Sequence, residues 1–555
     1  MHRPLKLSIP FLLLASLVSA ATVKLGNTII IGEDITTKGV EFFGGIPFAD
    51  PPVGNLRLRP PVLKTFPDTP TFNATTFGAG CLQAPLADIP VSEDCLTINI
   101  IRPAGIDGAD ASLPIMAYVF GGGFLVDAPP QLNGSAIVAR SVARGTPVIY
   151  VSFNYRLGPL GFPIGAEAAE KGALNLGLRD QLAALEWVQQ NIAAFGGDKD
   201  KVTLFGFSAG SIAISTLFLN SNLENFARAA ILESGIAGTI SIFNATHRQD
   251  DWDNFIAALP ECKNAAPENT FDCLRKDDIN STHLLEAITA SLSKAAEQYS
   301  FVPTLDGPDG LLADIPSEML KKGQYSKIPF IAGNVLDEGP ILTGPTNIAD
   351  EKTLREALIR NFTVSPSGSS SPELDSAVDT ILRHYPDIPA LGCPFNTGNE
   401  TFGLSTTYKR HLSHFSLLNN DVAFHFPRRS WTRTFAQAGI KTYGYQLSYP
   451  ELNPTPALGG CEMNYVFGFA NLPSSFVPSP SAAMFSEQII DYWVSFTTSL
   501  DPNDGLGSER PIWPQYTVEA PLLLQLNGSN TAPLLDEYRK EQFEFVDSNS
   551  VIFRH

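Results

Sequence analysis

The amino-acid sequence predicts an α/β fold in which a mostly parallel central sheet is connected by crossover helices and carries long insertions. The first indication is a set of short apolar runs with the length and composition of strands buried on both faces. The second is a helical repeat of apolar residues from Leu178 to Ile192, which lies between two of these runs and is ended by Gly196 and Gly197. Strand, helix and strand in this order are typical of parallel sheets. The apolar runs are 115–120, 148–153, 202–205 and 328–332.

The chain has 555 residues, which on length alone would suggest three or four domains of about 150 residues each. A glycine-rich motif at Gly122 and an acidic motif at Glu338 are nevertheless expected to meet in one site, although they lie far apart in the sequence. We therefore predict that residues 21–555 form a single domain. The patch SPSGSSSP at 365–372 is expected to be a surface loop rather than a linker between domains.

The first 20 residues have the features of a secretory signal peptide. Arg3 and Lys6 give a basic start, residues 7–15 are mostly apolar, and Val18-Ser19-Ala20 is a small-residue cleavage site. We therefore expect a secreted protein whose mature chain begins near Ala21. No later segment is long and apolar enough for stable membrane insertion.

Secretion would expose the chain to glycosylation and to an oxidising compartment. Cys81 and Cys95, and likewise Cys262 and Cys273, are close enough in sequence to close small loops as disulfides. The two remaining cysteines, Cys393 and Cys461, are expected to be buried thiols. Seven Asn-X-Ser/Thr sequons mark candidate glycosylation sites. They are Asn73, Asn133, Asn244, Asn280, Asn361, Asn399 and Asn527.

Charge and motif content exclude several classes of function. A net charge of -19 and a pI near 4.9 argue against a nucleic-acid partner, because nucleic acids select basic surfaces. The sequence has no HExxH motif and no paired CxxC spacing, so no metal site is expected. A dinucleotide fingerprint is also missing. We therefore expect chemistry that needs no cofactor.

Ser208 stands in the run Gly206-Phe207-Ser208-Ala209-Gly210, directly after an apolar strand and before a helix of small residues. In a Gly-X-Ser-X-Gly elbow the chain turns sharply, so that the serine oxygen stands clear of the backbone, and the glycines remove side chains that would clash. A match of this kind on its own can be a plain turn. The strand before it and the helix after it favour a catalytic nucleophile.

A second motif, Gly121-Gly122-Gly123, also follows an apolar strand directly. Acyl transfer needs backbone N–H groups aimed at a developing alkoxide, and glycines allow that close approach. A phosphate-binding loop is the alternative, but no Lys-Ser/Thr pair follows the glycines and no ribose-binding acid is suitably placed. We predict an oxyanion hole formed by the N–H groups of Gly122, Gly123 and Ala209.

Nearly the whole mature chain resembles the type-B carboxylesterase/lipase family. The matching segments include FFGGIPFADPPVGNLRLRPP at 42–61, SEDCLTINI at 92–100, VSFNYRLGPLGF at 151–162 and NLGLRDQLAALEWVQQNIAAFGGD at 175–198. The resemblance implies an α/β-hydrolase fold and a catalytic triad in the order Ser, Glu, His. It also implies a carboxylic ester hydrolase acting on a small-molecule or lipid ester. The elbow departs from the family pattern GESAG, because Phe207 replaces the acid.

The resemblance implies that Glu338 is the acid of the triad. It lies in Gly333-Asn334-Val335-Leu336-Asp337-Glu338-Gly339, directly after the apolar run 328–332, and matches the family's acidic segment. Its role would be to orient an imidazole and to stabilise the charged form of that ring. The neighbouring Asp337 is expected to be solvated.

The histidine of the triad is missing from its expected place. In the family it lies in a segment similar to Leu-Gly-x-Cys-His-x-x-Glu, which leads into Tyr-Val-Phe-Gly. This chain reads LGGCEMNYVFG at 458–468, so three residues including the histidine are absent between Cys461 and Glu462. No other histidine lies between His425 and His555. Structural, surface or terminal roles are expected for His247, His283, His384, His411, His414, His425 and His555, with His247 and His283 in exposed insertions.

Three explanations of this gap remain open. A misassigned splice junction could have removed the triplet, or a genuine deletion could have left a noncatalytic binding relative. Alternatively, Glu462 or a water that it holds could act as the base.

The segment between the first two cysteines bears on the substrate. Only thirteen residues separate Cys81 from Cys95, too few for a long amphipathic helix that would form a lid over the site. This favours an open gorge and soluble esters.

Overall fold

The computed structural model describes most of the chain from residue 20 to residue 555. His411, His414, Cys393, Asn399 and nearly all of the expected signal peptide lie outside the described residues. The residues not described are 1–19, 85–88, 107, 109–110, 220–221, 296, 298, 340–349, 364–369, 387, 389–419, 450–459, 471 and 473–474.

Sixteen strands are found among the described residues, and eleven of them form one central sheet in the order β16-β15-β14-β13-β12-β11-β9-β10-β8-β4-β3. The seven strands from β15 to β10 run parallel, whereas β16 at one edge and β8, β4 and β3 at the other pair antiparallel with their neighbours. The strands are β1 Thr22–Leu25, β2 Thr28–Ile31, β3 Glu33–Ile35, β4 Val40–Pro47, β5 Thr71–Asn73, β6 Gly80–Cys81, β7 Val91–Ser92, β8 Thr97–Pro103, β9 Leu113–Val119, β10 Ile149–Phe153, β11 Gly197–Phe207, β12 Ala229–Glu233, β13 Phe330–Val335, β14 Thr442–Leu447, β15 Leu522–Leu526 and β16 Ala532–Leu535.

Helices connect the strands, and the described residues contain fifteen of the α type. They are α1 Ser135–Ala143, α2 Gly158–Gly161, α3 Ala166–Glu170, α4 Leu176–Asn191, α5 Ala209–Leu219, α6 Gln249–Ala258, α7 Thr270–Leu274, α8 Ser281–Leu292, α9 Pro316–Lys321, α10 Glu351–Phe362, α11 Pro372–His384, α12 Phe426–Gln437, α13 Glu462–Val466, α14 Pro480–Ser499 and α15 Lys540–Ser548. Shorter 3₁₀ turns lie at Gly54–Leu56, Gly122–Phe124, Pro129–Gln131, Ile192–Phe195, Leu223–Asn225, Pro267–Asn269 and Gly528–Asn530, and a π-helical turn at Asn420–His425.

The predicted mostly parallel sheet is confirmed. Each of the four apolar runs forms part of a strand (β9, β10, β11 and β13), and the periodic segment between two of them is α4. The strands β10 and β11 are parallel as expected, but β9 lies between them in the sheet. Because parallel strands end at one edge, the loops after β9, β11, β12 and β13 are brought together there.

The core consists mainly of the two apolar faces of this sheet and the helices packed on them. The strand residues of β10, β12, β13 and β14 are all buried, as expected for parallel strands covered on both sides. A smaller apolar cluster joins α10, α11 and α15 around Val378 and Phe543.

Two disulfides with buried cysteines close short loops. Cys81 is bonded to Cys95, and Cys262 to Cys273, as the sequence spacing indicated. Cys461 is a free thiol and is half-buried. In the ranges that the structure describes, no helix has both the length and the apolarity needed to cross a membrane.

Candidate active site

Ser208 sits at a strained turn between the end of β11 and the start of α5. Its φ angle is +52°, a left-handed value that non-glycine residues rarely adopt. A β-carbon on Gly210 would overlap the carbonyl oxygen of Val119, and one on Gly206 would lie 2.9 Å from that same atom. Both elbow glycines are therefore required by close approach to β9. The Ser208 side chain is half-exposed rather than buried.

The glycine loop after β9 lies directly against this elbow. A β-carbon on Gly121 would lie 3.2 Å from Cβ of Ser208. The next two residues have left-handed backbone, with φ of +78° at Gly122 and +64° at Gly123. The Tyr155 hydroxyl donates a hydrogen bond of 2.9 Å to the carbonyl of Phe120 and so holds the end of β9 in place.

A side chain from the Cys81–Cys95 loop fixes the other end of the glycine loop. Gln83 is buried, and its amide nitrogen donates to the carbonyl of Asp127 at 2.9 Å while its amide oxygen accepts from the Asp127 N–H at 2.7 Å. Burial raises the pKa of the Asp127 carboxyl to about 6. The disulfide loop thus helps to position the glycine loop beside Ser208.

Ala209 is the first residue of α5. The first N–H groups of an α-helix have no acceptor within the helix, and the helix dipole places partial positive charge there. The helix start and the glycine loop therefore both lie next to the half-exposed Ser208.

Glu338 lies just after β13 and is 2% exposed. Its carboxylate accepts from the N–H of Val335 at 2.9 Å, and its own N–H donates to Oδ1 of Asn420 at 2.7 Å. Burial, reinforced by the nearby Glu462 carboxylate, raises the pKa of Glu338 well above its usual range. Asp337 is 1% exposed, so the expectation that it is solvated was wrong.

Glu462 begins α13, immediately after the position at which the family's histidine triplet is missing, and it is 1% exposed. The hydroxyl of Ser234 donates a short hydrogen bond to its Oε1 atom. Ser234 also lies close to Glu338 and lowers the pKa of that carboxyl against the larger effect of burial. Burial raises the pKa of Glu462 to about 7. The two glutamates therefore both lie beside Ser234 in a buried site.

A third buried carboxyl, that of Glu233, ends β12 next to Ser234. Its Oε1 accepts from the indole N–H of Trp493 at 2.6 Å, and burial raises its pKa well above the usual range. Its main-chain carbonyl accepts from the N–H of Ser208 at 2.8 Å. Backbone and side chains of this short segment therefore contact both the elbow and the carboxyl pair.

The described histidines are engaged elsewhere. His425 is buried, and its Nε2 lies 3.4 Å from the Leu336 carbonyl, while burial and the cations Arg428 and Arg429 lower its pKa to about 3. His247 is also buried, not exposed as expected, and pairs with Glu297 at 2.5 Å. The other described pairings are His283 with Glu261, His384 with the Phe545 ring and His555 with the Gly238 carbonyl. No histidine of the described ranges contacts Glu338, Glu462 or Ser208.

The sequon asparagines differ in exposure. Asn73, Asn244 and Asn280 are exposed, whereas Asn133, Asn361 and Asn527 are half-buried. The Asn133 oxygen already accepts from the N–H of Ser135 at 2.9 Å.

Three side chains near the elbow were not identified from the sequence: Ser234, Asn420 and Gln83. Ser234 and Gly235 follow a buried strand, just as Ser208 does, and Ser234 has a positive φ of +50°. The position of Ser234 directly after a buried strand is the one sequence feature that could have identified it. Gln83 and Asn420 act through backbone contacts from distant loops, which no sequence spacing indicates.

Comparison with known proteins agrees with this geometry. The sequence profile of the carboxylesterase family matches residues 19–546. The chain is 31% identical to Lipase 4 of Diutina rugosa, over 99% of this chain and 100% of that protein. It is 33% identical to Secreted lipase 1 of Botryotinia fuckeliana, over 96% and 93%. The crystal structure of Aspergillus niger EstA superposes with a TM-score of 0.82 at 22% identity, covering 97% of this chain and 99% of that chain, and it confirms the α/β-hydrolase fold. The chain therefore belongs to the carboxylesterase family of carboxylic ester hydrolases.

Proposed function

We propose that the chain hydrolyses carboxylic esters through an acyl-enzyme formed on Ser208. The observation that carries this proposal is the elbow, which holds a half-exposed serine at φ +52° between β11 and α5. Backbone strain of this kind at a strand-to-helix turn is the signature of a nucleophile elbow. The glycine loop lies within van der Waals distance of the same residue.

In the proposed reaction, Oγ of Ser208 attacks the ester carbonyl, and the carbonyl oxygen takes up negative charge. The N–H groups of Gly122, Gly123 and Ala209 are the proposed donors to that oxygen. Fixed donors of this kind act without reorganisation and are often the largest single contribution to acyl transfer. Glu338 is the proposed acidic residue of the site.

The proposed substrate is a small-molecule or lipid ester. Relatives named as lipases support the lipid ester. The short segment between Cys81 and Cys95 supports soluble esters, because it leaves no room for a long amphipathic helix that would dock on a lipid surface.

We also propose that the protein is secreted after removal of residues 1–20, that residues 21–555 form one domain, and that exposed sequons are glycosylated. A relative named as a secreted lipase supports secretion. One apolar core runs from Val23 in β1 to Leu526 in β15 and supports the single domain. Among the sequons, exposure favours Asn73, Asn244 and Asn280.

A fluorophosphonate probe tests the nucleophile directly, because it bonds covalently to activated serines. The expected result is one adduct per chain, found by peptide mapping on the peptide that carries Ser208. An adduct on another serine would contradict the proposal, as would the absence of any adduct on the folded protein.

The variant Gly122→Ala tests the proposed oxyanion hole. A β-carbon there would lie 3.0 Å from Cβ of Asp127, on a backbone with φ of +78°, so the loop must shift and its N–H must move. We expect kcat for p-nitrophenyl butyrate to fall by about 10²-fold, the effect of losing one oxyanion donor. Gly145→Ala is the matched control, since Gly145 also has a positive φ but has open space around it. Equal kcat values in both variants would contradict the assignment.

A further inference from the structure

The buried carboxyl of Glu462 lies beside the serine elbow. Two residues before it, Gly460 faces the Phe207 ring, and a β-carbon there would lie 3.4 Å from the ring. The partner of Glu462, Ser234, follows Glu233, whose carbonyl accepts from the N–H of Ser208. Gly460, which precedes Glu462 in the sequence, and Ser234, which hydrogen-bonds to it, both lie next to residues of the elbow.

The same carboxyl has an unused oxygen. Oε1 of Glu462 is bonded to the Ser234 hydroxyl, but Oε2 is buried and has no hydrogen-bond partner among the described residues. An unpaired buried oxygen of this kind is costly unless a proton, a water or a substrate group meets it. Oε2 of Glu462 is therefore available to accept a proton.

The groups around Glu462 are neutral or acidic. They are Glu233 from β12, Glu338 and Asp337 after β13, Tyr445 from β14 and the neighbouring Cys461 thiol. In the part of the chain that the structure describes, no Lys, Arg or His side chain pairs with Glu233, Glu338 or Glu462. Closely spaced buried carboxyls cannot all ionise at once, so the group retains protons at neutral pH.

The order of ionisation follows from burial and charge. Burial raises the pKa of Glu462 to about 7, and burial together with the neighbouring Glu462 carboxylate raises the pKa of Glu338 well above its usual range. The pair therefore retains a proton at neutral pH, and Glu462 can accept a proton once the pH rises above about 7.

We propose that Glu462 is the general base for Ser208 and occupies the catalytic role left open by the absent histidine. This inference rests on the proposed function, since it needs Ser208 as the nucleophile. Ser234 is the positioning residue that holds the carboxylate, and Glu338 donates its retained proton to the pair instead of orienting an imidazole.

Each proton that Glu462 accepts during one turnover is released again. Glu462 takes the Ser208 proton, directly or through one water, as Oγ bonds to the ester carbon and the carbonyl electron pair moves onto oxygen. Collapse breaks the bond to the leaving alkoxide, which receives the proton from Glu462 and departs as the alcohol. A water then gives its proton to Glu462 while attacking the acyl carbon, and collapse releases the acid as the proton returns to Ser208.

The test is the pH dependence of kcat/KM in the full-length protein and in matched carboxamide variants. Wild type is expected to show an acid limb near pH 7, because the base must be deprotonated. Glu462→Gln is expected to lose about 10²-fold or more of kcat, the usual contribution of a general base, together with that limb. Glu338→Gln is expected to keep the limb whatever its effect on kcat. Glu268→Gln, the same substitution at an exposed carboxyl in a surface turn, is expected to keep both the rate and the limb.

Rescue separates loss of a base from loss of the fold. Glu462→Ala is expected to regain turnover on addition of formate, a small carboxylate that can enter the space left by the side chain. Wild-type turnover in Glu462→Gln, or an acid limb lost in Glu338→Gln but kept in Glu462→Gln, would overturn the inference. If the Ser208→Ala variant hydrolyses the ester as fast as wild type, the proposed function is overturned as well. The two failures are therefore distinguishable.

Discussion

Replacing Ser208 by alanine is expected to lower kcat for ester hydrolysis by several orders of magnitude, to a residual rate supported by the backbone donors alone. The substitution removes only Oγ and leaves the elbow glycines and the backbone donors in place. Loss of the nucleophile in a serine hydrolase costs about 10³-fold or more in kcat. Initial rates with p-nitrophenyl butyrate, measured at several protein concentrations, give this difference.

The matched control is Ser215→Ala in the same helix. Ser215 is buried, and its hydroxyl donates to the Ser211 carbonyl at 2.8 Å, so its role is structural. This variant is expected to keep wild-type turnover. A similar loss of rate in both variants would show that damage to α5, rather than removal of a nucleophile, is responsible.

The contribution of Glu462 to the stability of the protein is expected to fall as the pH rises from about 4.5 to about 7, because Glu462 is buried with a raised pKa. Within this window the unfolded chain releases a proton that the folded chain still holds, so the folded state binds more protons and loses stability with rising pH. The shift corresponds to about 3 kcal/mol of unfolding free energy, fully lost above the folded pKa. Glu338 and Glu233, whose pKa values are also raised by burial, act in the same direction.

Glu462→Gln removes this titration. We expect the variant to be more stable than wild type by about 3 kcal/mol at pH 8 and close to wild type at pH 4.5, as measured by urea unfolding at both values. Glu268→Gln, at an exposed carboxyl in a surface turn, is the control and should change neither. A Glu462→Gln variant that is equally destabilised at both pH values would contradict the burial of an ionisable base.

Regular elements were predictable because their signals are local. The apolar runs around Ile115, Val202 and Ile328 are each long enough to report a buried strand, and α4 has a clear helical repeat with a glycine stop. The elbow and the glycine loop were also visible, since each follows its strand at once. The resemblance supplied Glu338, which an isolated strand end would not have singled out.

Other features depend on contacts between distant segments. The burial of Asp337 and His247 follows from packing against loops that a sequence window does not contain. Ser234, Glu338 and Glu462 come from three separate segments of the chain, so their shared environment appears only once the sheet brings those segments to one edge. The raised pKa values of these carboxyls are consequences of that burial.

The gap before Glu462 left three interpretations of the sequence: a misassigned splice junction, a noncatalytic relative, or an enzyme with another base. The relatives found are named as lipases and esterases, and the noncatalytic alternative has no supporting observation. The contact of Ser234 with Glu462 supports our proposal that a carboxylate acts as the base.

The most direct measurement of the central claim is the trapping of an acyl-enzyme. Wild-type protein mixed with p-nitrophenyl acetate and quenched in acid within the first turnover is expected to carry one acetyl group, which tandem mass spectrometry places on Ser208. Release of p-nitrophenol should show a burst that matches this acylated fraction if deacylation is the slower step. Steady hydrolysis without acetylation of Ser208, or acetylation of another residue, would contradict the account.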